Sequence, residues 1–185
     1  MTDARGNLLV TIGGRPAYEV LVETLRGLPP DVRARAARNL VIGLAMDEYS
    51  DRFGRGDFLI RNLLGIDRET GALTVGANPR VGQTVQFQMR DPQAADEDLR
   101  LLLESAEEAL GDLRPAGALL CACNGRGVGL FGVPDHDARL LADRFDRVPI
   151  AGFFCNGEIG PVGARPFLHG FTASIGLFVP SEPRA

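Results

Sequence analysis

Two apolar runs, Ala116 to Cys123 and Val148 to Phe154, bracket a glycine-rich stretch and a helical pattern at Asp135 to Arg144. No other feature constrains the fold as tightly. Two strands joined through a helix pair in parallel when they share a sheet, and the crossover is then right-handed. The first run is small and free of charge, the pattern of a strand covered on both faces.

The flanking segments add shorter elements punctuated by Gly and Pro. Leu8 to Ile12 reads as a strand turned by Gly13 and Gly14. Ala17, Val20, Leu21, Thr24, Leu25 and Leu28 then form the stripe of an amphipathic helix, with Pro16 in its first turn and Pro29-Pro30 stopping it. A second helix is expected from Asp31 to Leu40. Phe58 to Ile66 and Ala72 to Val75 form a hairpin through Asp67 to Gly71, where Gly71 suits a left-handed position. Val85, Phe87 and Met89 alternate with polar residues, the mark of a half-buried strand. Asp91-Pro92 supplies an N-cap and a first-turn proline. The helix that follows buries Leu99, Leu102, Leu103, Ala106 and Leu110, with acids in its first turn and Gly111 past its end. Phe167 to Val179 reads as one long closing strand. The expected fold is α/β in the broad sense, more narrowly α+β: a mixed β-sheet with packed helices, forming a single domain.

Composition removes several functions. All 20 basic side chains are Arg and there is no Lys, which excludes a Schiff-base or Walker lysine. A net charge of −4 offers no basic surface, so neither nucleic acid nor an anionic membrane is an expected partner. No apolar run approaches the roughly 20 residues of a membrane span, so membrane insertion is not expected. The N-terminal MTDARGNLLV lacks the basic and apolar regions of a signal peptide. Cys numbers 3, an odd count in a chain large enough to hold a core, which argues against a disulfide framework. A cytoplasmic location is expected.

The densest group of unusual residues is Cys121 to Gly129, directly after the first apolar run. Loops beyond strand ends are favoured ligand sites. Glycines there admit close backbone approach, and Arg126 offers a planar fork for a carboxylate or phosphate. The alternative is a tight turn with a solvated Arg. Gly127 to Gly132 matches GxGxxG, but Pro134 and Asp135 put the helix start after it, against a dinucleotide site. Cys121 and Cys123 share a strand face; with Cys155 and His169 they offer a Cys₃His set, although the Cys-x-x-Cys spacing of structural zinc is missing. No metal is expected. His169 shares parity with Phe171, Ala173, Ile175 and Leu177, while His136 is expected to be solvated. Arg61 and Glu158 interrupt apolar stretches. They either pair with each other or face a ligand, Arg61 a carboxylate and Glu158 an amine, which would suit an amino acid.

Four phrases occur in order: Gly56 to Asp67, Val81 to Asp91, Cys123 to Gly127, and Gly152 to Gly163 with Leu168 to Thr172 behind it. Together they closely resemble the C-terminal domain of the FIST family, sensory domains of prokaryotic signal transduction. The resemblance covers about Leu8 to Val179 and implies one FIST C-terminal domain across 1–185, with the N-terminal FIST domain that normally precedes it missing. It implies a small-ligand-binding sensor for an amino acid or similar metabolite rather than an enzyme. Its partners would be that small molecule and either the N-terminal FIST domain or a signalling output protein. By chemistry and clustering, the expected ligand contacts are Arg61, Arg90, Cys123, Asn124, Gly125, Arg126, Gly127, Cys155, Asn156, Glu158 and His169. No catalytic residue and no cofactor is expected. The alternatives are a hydrolase or transferase using Cys123 or Cys155 with His169, and a haem-based gas sensor with His169 as proximal ligand.

Overall fold

The computed structural model describes residues 3–162 and 165–181, so Gly163 at the end of the fourth phrase lies outside the described residues. The chain divides into two compact units, Met1–Arg90 with Val162–Arg165 and Asp91–Pro161 with Pro166–Ala185.

The first unit contains β1 (Asp3–Arg5), β2 (Leu8–Ile12), β3 (Arg15–Pro16), α1 (Ala17–Arg26), α2 (Pro30–Asn39), β4 (Leu40–Ala45), β5 (Phe58–Ile66), β6 (Leu73–Val75) and β7 (Val85–Met89). Its strands form a 7-stranded sheet in the order β1-β2-β6-β5-β4-β7, with β3 paired to β2. Every pairing is antiparallel. Gly13 and Gly14, at φ 60° and 76°, make the two-residue reversal between β2 and β3 that residues with a Cβ resist. The β5–β6 turn is closed by Gly71 N–H donating to the Asp67 carbonyl at 2.9 Å. Asp67 Oδ2 also accepts from Thr70 Oγ1 at 2.7 Å. The apolar stripe of α1 places Ala17 and Leu21 against Leu9, Ile42, Leu44, Leu73 and Val75, the core of this unit.

β4 is absent from the sequence reading, yet it is the inner strand between β5 and β7, with Val41, Ile42, Leu44 and Ala45 buried. No residue separates it from α2: Leu40, the residue after the helix, is already extended at ψ 132° and opens the strand. Without a glycine or proline at the boundary, the apolar run merges into the helix that precedes it.

The second unit contains α3 (Pro92–Leu110), β8 (Gly117–Cys123), a 3₁₀ turn (Asn124–Arg126), α4 (Val128–Phe131), α5 (His136–Arg144), β9 (Ile150–Cys155), β12 (Ala173–Phe178) and all but the end residues Val162 and Arg165 of β10 (Glu158–Val162) and β11 (Arg165–His169). β12, β8 and β9 form a 3-stranded mixed sheet, and β10 and β11 a 2-stranded one. The predicted crossover is present: β8 and β9 are parallel, with Ala118 opposite Ile150 and Cys123 opposite Cys155. The α+β class with a mixed sheet and packed helices is therefore the observed one.

Asp91 caps α3 by accepting from Ala94 N–H at 3.1 Å, and Gly111 ends it at φ 58°. The first turn of α3 holds no acid; Asp96, Glu97 and Asp98 begin one turn later. Leu99 and Leu103 are buried, but Leu102 is exposed. These leucines join Ala118, Leu120, Ala122 and Leu141 in the second core. That core lies on one face of β8 only. Leu119, on the opposite face, is exposed, so the strand is not covered on both sides.

Two further expectations change, and Gly152 gains a structural reason. Val128–Phe131 forms a short helix after Gly127, so helical structure starts before Pro134. Gly152 is required by crowding, since a Cβ there would run into the Leu120 carbonyl. The closing strand is two: Phe171 at φ 72° breaks it, and β11 pairs with β10 while β12 pairs with β8. The parity argument therefore does not carry across the break, although His169 still lines one cleft with Ala173, Ile175 and Leu177.

Candidate functional site

Because β8 and β9 run parallel with Cys123 beside Cys155, the segments leaving their carboxyl ends emerge side by side. This is where sheets with parallel strands bind ligands. Asn124 Nδ2 donates to Asn156 Oδ1 at 2.6 Å across the two segments. Cys123 Sγ accepts from Gly125 N–H at 3.3 Å, which tightens the 3₁₀ turn. The Cys155 thiol faces the Ala122 carbonyl at 3.5 Å and the Glu158 carboxylate at 3.4 Å. Glu158, only 2% exposed, also accepts from Thr172 Oγ1 at 3.1 Å. Cys123, Asn124, Gly125, Arg126, Gly127, Cys155, Asn156 and Glu158 thus come together at one end of the mixed sheet.

Three expected contacts remain. Arg61 and Arg90 belong to the first unit. Arg61 Nη1 donates to the Ile60 carbonyl at 2.8 Å, and burial lowers its pKa. Arg90 N–H donates to the Asn39 carbonyl at 3.0 Å. His169 Nε2 lies 2.9 Å from the Gly160 carbonyl, a contact that makes Nε2 the protonated nitrogen.

Arg126 is neither a solvated turn residue nor an open anion fork. It is 8% exposed, and its Nε and Nη2 donate to Asp137 Oδ2 and Oδ1 at 2.7 and 3.0 Å. Two of its five N–H donors are spent on a bidentate, buried pair. His136 is likewise not solvated. Its ring stacks on Phe131 with centroids 3.6 Å apart. Its Nδ1 lies 3.0 Å from Asp137 Oδ1 and its Nε2 2.9 Å from Asp96 Oδ1. Arg100 donates to Asp96 through Nε and Nη2 at 2.8 and 3.2 Å. An unbroken polar chain therefore runs from Arg126 through Asp137, His136 and Asp96 to Arg100 on α3. Asp137 and Asp96 were missed from sequence. Neither lies in a local motif with Arg126, and only the fold brings Asp96 to a histidine 40 positions away.

Beside this chain a cleft of about 290 Å³ opens between β9 and α5. Leu120, Ala122, Ile150 and Phe154 form its apolar wall, and Arg126 and Asp135 are among its polar lining. A second cleft of about 250 Å³ includes His169, Thr172 and Leu102. Among the described residues, no group of three His, Cys, Asp or Glu is placed to hold a metal. The Cys155 thiol is pushed up by burial, and then by its hydrogen bond to Glu158 and that residue's charge. A thiol held protonated is a poor nucleophile, and the imidazole of His169 is engaged at Gly160. The geometry supplies no positive evidence of catalysis.

An uncharacterized protein of Mycobacterium bovis and an uncharacterized protein of Mycobacterium tuberculosis are each 50% identical to this chain over 179 residues. Each alignment covers 97% of this chain and 46% of the relative, so the chain spans about half the length of the curated relatives it matches. No solved structure matches the chain significantly. The model of the FIST C domain matches residues 17–161, running through the strand-end segments just described, and the chain belongs to the FIST C domain family.

Proposed function

We propose that this chain is a ligand-binding sensory domain that takes an amino acid or similar small metabolite in the cleft between β9 and α5. The observation that carries the reading is the convergence of the segments after β8 and β9 beside an apolar cleft with polar groups at its rim. Membership of the FIST C domain family is consistent with a sensory role. A ligand shifts a conformational balance only through its differential affinity for the two states. The glycine-bearing segments at 125–132 and 156–163 are the parts we expect to respond.

The whole protein, in this reading, places one FIST C-terminal domain (core about 8–179) after an N-terminal FIST domain, and the signal passes to that domain or to a separate output protein. A cytoplasmic location agrees with three free cysteines. No helix among the described residues is long and apolar enough to cross a membrane. Haem does not fit at His169, because its Nε2 is already bonded to the Gly160 carbonyl.

A thermal-shift screen against amino acids and small metabolites tests the proposal. A ligand at 100 times its Kd stabilises the fold by about 2.7 kcal/mol, or roughly 5–10 °C for a chain of this size. Phe154→Ala removes an exposed part of the wall and should reduce the shift without unfolding the chain. No shift with any member of the panel would overturn the reading for this chain alone.

A further inference from the structure

The inference rests on the β9–α5 cleft being the ligand site and concerns the charge of what enters it. The ionic groups at its rim are already committed inside the protein, with one exception. Arg126 gives a bidentate pair of N–H groups to Asp137, and His136 spans Asp137 and Asp96. Asp135 is the exception. It lines the cleft and is solvent-exposed. At φ 58° it starts α5, yet its side chain does not cap the helix, and among the described residues its carboxylate has no cation or donor. With Asp137 offset by Arg126, the partial positive charge at the α5 N-terminus, about half a unit, offsets only part of the Asp135 charge, so the rim stays negative.

A carboxylate entering this cleft would meet Asp135 and would share Arg126 with Asp137. An ammonium group would meet an unpaired carboxylate while its apolar body lay against Leu120, Ala122, Ile150 and Phe154. Phe154 is 58% exposed, which leaves aromatic surface for that body to cover. We propose that the cleft selects small primary amines with an apolar or aromatic body, read through Asp135, and that a carboxylate on the ligand adds no affinity. Arg126 thus serves as a wall held by Asp137, not as the anion receptor its sequence position suggests.

The test is an amide NMR titration of the intact chain with 2-phenylethylamine, 3-phenylpropionate and L-phenylalanine, following Gly127, Gly152 and Phe154. Phenylethylamine should bind at least about fivefold more tightly than phenylpropionate at low salt, the scale of one partly exposed charge pair plus the repulsion it replaces. Phenylalanine should bind no more tightly than phenylethylamine. Asp135→Asn should bring the amine and the acid within about twofold of each other. Asparagine tolerates a left-handed backbone, so this variant keeps the helix start. An acid that matches the amine, phenylalanine that clearly surpasses it, or a preference that survives Asp135→Asn would each overturn the charge assignment and leave the cleft reading intact. If none of the three probes moves the followed amides, the cleft itself is refuted as the site for such ligands.

Discussion

Among the described residues of the antiparallel unit, the buried side chains are apolar except for Gln83, whose amide donates to the Ala45 carbonyl at 2.9 Å. In the mixed unit Arg126, Asp137 and Glu158 are all buried. A buried charge pair is weak evidence for stability, because desolvation offsets much of its attraction. Its presence in one unit and not in the other, among the described residues, separates a hydrophobic scaffold from a region where polar groups are held in place. The parallel pair explains where that region lies. Antiparallel hairpins send successive connections to opposite ends of a sheet, whereas β8 and β9 deliver two segments to the same end.

The largest effect should come from separating the charges. Arg126→Ala leaves Asp137 buried without its cation and should cost about 3–5 kcal/mol, read as a lower urea midpoint. Replacing both partners, Arg126→Met with Asp137→Leu, should cost much less. Equal losses would mean that the contrast between the units is one of packing alone. Next in size, Leu73→Ala in the antiparallel core opens a cavity at a fully buried site and should cost about 2–5 kcal/mol. Where the variant remains folded, its ligand-induced thermal shift should be unchanged; a lost response would break the division between scaffold and site. Asp91→Ala removes the cap that accepts from Ala94 and should cost about 1 kcal/mol, detectable as faster amide exchange in the first turn of α3.

The smallest effect is a pH dependence. The Arg100 hydrogen bond, and more weakly His136, hold Asp96 below the ordinary carboxylate range against the opposing pull of desolvation. A group depressed in the folded state contributes stability above its unfolded pKa and loses it as pH falls through the folded value. Melting temperature should therefore drop below about pH 4, and Asp96→Asn should flatten that part of the curve. An unaltered curve would remove Asp96 from the polar chain that marks the mixed unit.

Much of the framework was legible because its signals are local. Asp91-Pro92 names the start of α3, Gly71 marks a left-handed turn, and the alternation at 85–89 gives β7. β4 was not legible, since no breaker separates it from α2. The break at Phe171 was hidden as well, because positive φ at a phenylalanine is set by the pairing of β11 and β12 with different neighbours. The candidate site divides in the same way. Its loop residues stood out by composition, but the roles of Arg126 and His136 depended on which carboxylates face them.

By itself, the sequence determined the kinds of element, the strand–helix–strand order that makes β8 and β9 parallel, and the collection of polar residues after those strands. Periodicity, capping and turn chemistry act over a few residues and can be read in any context. Only the tertiary structure decided which charges are spent on each other. Arg126 meets Asp137 and His136 meets Asp96 because α3 and α5 pack on one face of the same sheet. Desolvation and charge pairing depend on distance in space rather than on separation along the chain.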